Sequence, residues 1–270
     1  MNSSIHPFDA AIAFEPQGEG QWQGHTSAAY ANMVGPFGGV TAAQALNAVL
    51  QHPELLGEPV ALTVNFAAAL ADGPFEVAAR PARTNRSTQH WTVEFAQQQQ
   101  TVLTATAITA TRRRTWGADD EPMPAAPAPE TLERADLRGR VEWFRRYDMR
   151  FAHGFFPPAW DGKERDSLTR LWVRDDPPRP LDHCSLTALA DVFFPRVWRR
   201  RATMVPIGTV TMTVYFHADA AQLAATGSGH LLAQARAQAF RNGYFDQTAQ
   251  LWNQQGELLA TTHQLVYYKE

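Results

Sequence analysis

Apolar and polar residues alternate along the chain in short runs separated by turn signals. Residues 89–96 and 101–108 carry an apolar or small side chain at nearly every second position. That is the period of an antiparallel strand with one face buried. Residues 61–66 and 75–80 read as two more strands, the second following the Asp72-Gly73-Pro74 turn. Ahead of these lies the loop Val34-Gly35-Pro36-Phe37-Gly38-Gly39, which opens an alanine-rich run over residues 40–50 that ends at His52-Pro53. Apolar residues at helical spacing predict a helix there, and its small, apolar surface predicts burial. One helix followed by several antiparallel strands makes an α+β unit.

The second half repeats the order. Residues 184–194 form another small-residue apolar stretch, read as a helix stopped by Pro195. Strands are predicted over 208–217, 231–236, 243–251 and 258–268, the last two joined by the loop Asn253-Gln254-Gln255-Gly256. Thr63-Val64-Asn65-Phe66 resembles Thr213-Val214-Tyr215-Phe216, and residues 97–106 resemble 253–262. The pattern is an internal duplication. We divide the chain into an N-terminal unit (1–116), a connecting segment (117–179) and a C-terminal unit (180–270). Within the connection, residues 117–129 read as a Pro- and Ala-rich linker. The rest of the connection is irregular apart from a candidate strand over 168–173, and Asp175-Asp176-Pro177-Pro178 closes it.

Composition narrows the class of function. Of 270 residues, 44% are hydrophobic, enough for a sizeable core. The net charge of −3 gives no global drive toward nucleic acid. Cys184 is the single cysteine, which excludes an intramolecular disulfide and a cysteine zinc site. Residues 1–19 lack a basic segment followed by an apolar run, and no apolar stretch reaches the ~20 residues of a membrane span. The expectation is a cytoplasmic protein, in which the N-x-S matches at Asn2 and Asn85 carry no meaning. The nine histidines show no metal-binding spacing, no phosphate loop or G-x-S-x-G elbow occurs, and no cofactor is expected.

Three stretches carry a family resemblance: Pro36-Phe37-Gly38-Gly39 leading into Ala42-Ala43-Gln44-Ala45-Leu46; Leu189-Ala190-Asp191-Val192-Phe193-Phe194; and Ile207-Gly208-Thr209 through His217, with Ala260-Thr261-Thr262-His263-Gln264 near the end. In these the chain resembles the acyl-CoA thioesterase II family. The resemblance implies a double hotdog, an α+β fold of two fused units in which a sheet wraps a helix. It implies an acyl-CoA or other acyl thioester as substrate, a role in fatty acid metabolism, and association into oligomers. The family's water-positioning Asp, Thr or Ser, and Gln fall on Asp191, Thr209 and Gln264. Val210-Thr211-Met212 departs from the Asp-His pair the family often has there.

Each residue also has a plain structural reading. A carboxylate amid Leu, Val and Phe is a candidate base, since burial raises its pKa, but Asp191 also fits a helix residue pairing with Arg196. Thr209 fits an ordinary strand threonine, and Gln264 a solvent-facing amide. Gly38 and Gly39 open a helix whose free N–H groups suit an oxyanion or acyl site, as does the Asp182-His183 region ahead of the second helix; the glycines equally permit a tight turn. Arg112-Arg113-Arg114 and Arg199-Arg200-Arg201 either face solvent or meet coenzyme A phosphates. Two other readings stay open: an enoyl-thioester hydratase or dehydratase of the same fold, and a non-catalytic acyl-thioester binding module.

Overall fold

A computed structural model describes residues 5–270; the Asn2 match and the first four residues of the stretch read for a leader lie outside it. The first half comprises α1 (Pro7–Ile12), β1 (Glu15–Gly18), β2 (Gln21–His25), α2 (Gly38–Leu50), β3 (Glu58–Phe66), β4 (Pro74–Thr84), β5 (Thr88–Gln97) and β6 (Gln100–Ala110). The remainder comprises β7 (Tyr147–His153), β8 (Thr169–Asp175), α3 (His183–Leu189), α4 (Arg196–Arg201), β9 (Ile207–Phe216), α5 (Ala220–Thr226), β10 (Leu231–Arg236), β11 (Phe240–Arg241), β12 (Tyr244–Trp252) and β13 (Leu258–Tyr268).

All the strands join one antiparallel sheet in the order β1-β2-β4-β5-β6-β3-β9-β13-β12-β10-β8-β7, with β11 beside β12. The order reads outward from the β3–β9 pair in the same way on both sides. Thr63 faces Thr213 across that pair, and their hydroxyls lie 3.0 Å apart. The two repeated Thr-Val-x-Phe stretches are therefore direct neighbours. Both halves also carry the same irregularities. The β5–β6 hairpin shifts register between Phe95 and Ala96, and β12–β13 shifts between Leu251 and Trp252. A second shift falls between Pro59 and Ala61 on β3, matched by one between Leu265 and Val266 opposite β9.

The buried faces of the strands supply the core, against which α2 and α3 lie side by side. Leu46, Leu62, Phe95, Val214 and Leu251 are fully buried there, each contributing roughly 1.5–3 kcal/mol through burial. The helices approach so closely that a Cβ on Gly39 would stand 2.7 Å from the carbonyl oxygen of Ala188.

Two expectations are corrected. The second helix ends at Leu189 with Ala190 as its cap, so Asp191 lies in the turn beyond it, not on the helix. Tertiary contacts take over there: Phe194 stacks on Phe156 at 3.8 Å and on Phe151 at 5.4 Å. The segment read as an irregular connection carries two sheet strands. One, β8, covers the candidate strand; the other, β7, hides its alternation of buried Tyr147 and Met149 behind the charged Asp148 and Arg150. Those charges form an ion pair at 3.1 Å, Arg150 donating to Asp148.

Candidate active site

The first turn of α2, the turn after α3 and the ends of β9, β12 and β13 meet around a cavity of about 660 Å³. That volume suits a small-molecule ligand. Asp191, Thr209, Gln264 and Gly38 all line it. Gly39 does not; its N–H donates to the Asp191 carboxylate instead.

Asp191 is partly buried, at the inner wall of this cavity. The Nε2 of Gln264 donates to its Oδ1 at 2.7 Å. Burial pushes its pKa up to about 7, the hydrogen bonds from Gln264 and Gly39 holding it below where desolvation alone would take it. A carboxyl poised near neutrality suits proton transfer. Arg196 does not pair with it: that guanidinium is fully buried and donates to the carbonyls of Phe194 and Ser167 and to the Thr169 hydroxyl.

The glycines explain how the carboxyl reaches the helix. A Cβ at position 38 would stand 2.9 Å from Asp191 Oδ2. The helix start thus presents bare backbone to the carboxylate, where its dipole favours negative charge. The N–H of Gly38 has no acceptor among the described residues. By contrast, the Asp182-His183 region does not line the cavity; Asp182 caps α3 by accepting from Ser185 N–H at 2.8 Å and pairs with Arg179 at 2.7 Å.

Thr209 faces Val266 at the register shift of β9 against β13. Gln264 is 4% exposed, on the buried face of β13. Both line the cavity, Gln264 turned away from the solvent position its plain reading suggested. The opposite wall is aromatic and apolar, built from Phe37, Phe66, Phe156, Phe194 and Trp198.

Comparisons with known proteins extend this geometry. Residues 27–110 match the acyl-CoA thioesterase N-terminal domain, and residues 118–268 match the acyl-CoA thioesterase C-terminal domain. The chain belongs to the acyl-CoA thioesterase family. A conserved protein of unknown function with a hot dog fold, from Alicyclobacillus acidocaldarius, is 48% identical over 99% of both chains, with a TM-score of 0.94. The tesB protein of Mycobacterium avium subs paratuberculosis is 19% identical over 99% of this chain and 100% of its own, with a TM-score of 0.79. The acyl-CoA thioesterase II TesB2 of Mycobacterium marinum is 18% identical over 97% and 96%, with a TM-score of 0.74. No curated protein sequence matches the chain. The fold is a double hotdog.

Within this thioesterase frame, the two arginine runs lie elsewhere. Among the described residues none of the six lines the cavity. Arg112 holds the carbonyls of Pro59 and Phe216, and Arg199 holds the carbonyl of Leu168 and pairs with Asp166 at 3.0 Å. No cluster of three or more His, Cys, Asp or Glu that could hold a metal occurs among the described residues. Among those residues, no helix is long and apolar enough to cross a membrane.

The sequence reading missed a polar residue of the cavity, Gln247. Its strand was expected, and the signal was present: on the inward face, Phe245, Ala249 and Leu251 are apolar and Gln247 is not.

Proposed function

We propose that this thioesterase-family chain hydrolyses acyl-CoA to a carboxylic acid and coenzyme A, with Asp191, Thr209 and Gln264 positioning the attacking water. The supporting observation is one carboxyl, raised to a pKa of about 7, gripped by an amide and a helix start at the wall of an apolar cavity. A thioester carbonyl is electrophilic, so the protein's task is orientation, proton removal and stabilisation of the developing oxyanion.

Asp191 takes a proton from the water as the oxygen bonds to the acyl carbon. Gln264, anchored through Nε2, fixes the carboxylate and offers its carbonyl oxygen to the same water. The Thr209 hydroxyl completes the water's contacts from β9. The unpaired N–H of Gly38 receives the carbonyl oxygen as it gains charge. When the tetrahedral intermediate collapses, the C–S bond breaks and the thiolate leaves, taking the proton held by Asp191. No histidine lines the cavity among the described residues, whereas the hydratase alternative calls for an Asp and His pair.

The test is release of free thiol from acyl-CoAs of short, long and aromatic type. Asp191→Asn is expected to lower kcat by about a thousandfold while leaving the fold intact, within the range of a lost general base. Parental turnover in that variant refutes the assignment. Tight binding of acyl-CoA with no turnover by the parent replaces hydrolysis with a binding role.

A further inference from the structure

Gln247 is 3% exposed, and its amide has no hydrogen-bond partner among the described residues. It lies directly across from Gln264 in the β12–β13 ladder, so the two side chains leave the same face of the sheet as neighbours. Gln264 is committed to Asp191. Gln247 has no such commitment and borders the cavity between Phe245 and Ala249, both 1% exposed. The side chain as a whole is buried, but its amide tip is open to the cavity, where it can bond only to what the cavity holds.

An apolar side chain here would satisfy the strand's inward pattern and fill space beside Phe245. The amide is therefore available to a molecule bound in the cavity. An unsubstituted alkyl chain passing Gln247 strips it of water and returns no hydrogen bond. A chain carrying a hydroxyl or carbonyl restores one. Sites built to hydrogen-bond a substrate group reject the analogue lacking it, because the protein's own polar group is then left unpaired.

We propose that Gln247 is a specificity-determining residue that selects acyl chains bearing an oxygen substituent close to the thioester carbonyl. The closeness follows from its register: it neighbours the amide that holds Asp191, so the group it reads is only a few bonds from the reacting carbon. This rests on the acyl-CoA hydrolase reading and adds the class of acyl group.

The experiment compares unsubstituted, 2-hydroxy- and 3-hydroxyacyl-CoA of one chain length, in the parent and in Gln247→Met. Both kcat/KM by thiol release and Kd for the non-hydrolysable thioether analogues are measured. The parent is expected to favour one hydroxylated chain at least tenfold. Gln247→Met, close in shape and lacking the amide, is expected to lose that preference by weakening the hydroxylated chain alone, with an unchanged or higher Tm. Gln247→Leu repeats the test if the methionine variant folds poorly. A parent without preference, or a variant that weakens all chains equally, overturns the proposal. If the parent hydrolyses none of the thioesters, the hydrolase reading fails separately. The thioether affinities still decide whether Gln247 reads the hydroxyl.

Discussion

The two halves share a fold and irregularities, yet positions that carry polar cavity residues in the second half are apolar in the first. Counting from the matching hairpin bulges, Trp91 and Ala107 occupy the paired positions that Gln247 and Gln264 hold in the other half. Counting from the matching shifts beside the central strands, Pro59 stands where Thr209 stands. Counting from the first helical residue, Leu46 stands where Asp191 does. Each of these four polar residues thus has an apolar counterpart in the first half. The first half does contain buried amides, but they are tied off. Gln44 donates to the carbonyls of Ala11 and His25, and Gln89 bridges Leu56 N–H, the Glu54 carbonyl and the Thr84 hydroxyl. A buried amide bound to backbone holds a fold together. One left facing a cavity is available to a ligand.

Making the second half imitate the first breaks this comparison most severely. The double variant Gln247→Trp with Gln264→Ala copies the Trp91–Ala107 pair into the cavity. Turnover is expected to fall at least a thousandfold, since Asp191 loses its amide partner and the indole occupies the substrate's place. Circular dichroism should remain that of the parent. Retained activity in this variant shows that substrate does not pass the inward face of β12.

The reverse change separates stability from chemistry. Trp91 is 1% exposed, packs edge-on to His52 at 4.9 Å, and donates from Nε1 to the Thr109 hydroxyl at 3.2 Å. Trp91→Ala is expected to cost about 3–5 kcal/mol in denaturant unfolding. Turnover per folded molecule should stay at the parental value, because nothing that lines the cavity is removed. A fall in kcat of the folded fraction contradicts a purely structural role for Trp91.

Gly38→Ala sharpens the contrast at the helix start. The added methyl meets Asp191 Oδ2 at 2.9 Å, so the carboxyl must shift by a few tenths of an ångström. Displacement of a positioned group by that much is expected to lower kcat roughly ten- to a hundredfold with KM little changed. If kcat is unaffected, the glycine serves helix packing only.

Much of the fold is legible in the sequence. Strands β5, β6, β9 and β13 announce themselves by alternation or β-branched runs, and α2 by its alanines, because each follows from local periodicity. The family resemblance picked out Asp191, Thr209 and Gln264, which the fold brings to one cavity. Other features depend on contacts distant in sequence. The helix before Asp191 stops early because Phe194 is drawn into a cluster with Phe151 and Phe156. β7 is disguised because its charged residues find partners across neighbouring strands, Arg174 on β8 pairing with Asp148 at 3.4 Å and the His230 ring on the β10 side lying 3.1 Å from the same carboxylate. Gln247 passed unnoticed because a lone glutamine in a strand has meaning only once its face is known.

The smallest expected effect concerns pH and the stability of the site itself. The Asp191 pKa rises from an ordinary 3.8 to about 7 on folding, so the folded protein holds this proton more tightly than the unfolded chain. Between those two values the folded state binds more protons than the unfolded one. The contribution is therefore fully present below about pH 4 and is lost as pH rises through 7. Asparagine keeps the shape and carries no charge, so Asp191→Asn does not suffer this loss. Its stability relative to the parent should grow from pH 4 to pH 8 by on the order of 2 kcal/mol, discounted for water in the cavity. Asp175, buried and raised to about 6 by desolvation, titrates in both proteins and cancels in the difference. Unfolding curves at pH 4, 6 and 8 measure the gap. A gap that does not widen means the carboxyl is solvated enough to ionise without cost, and its role as a base tuned by burial is then lost with it.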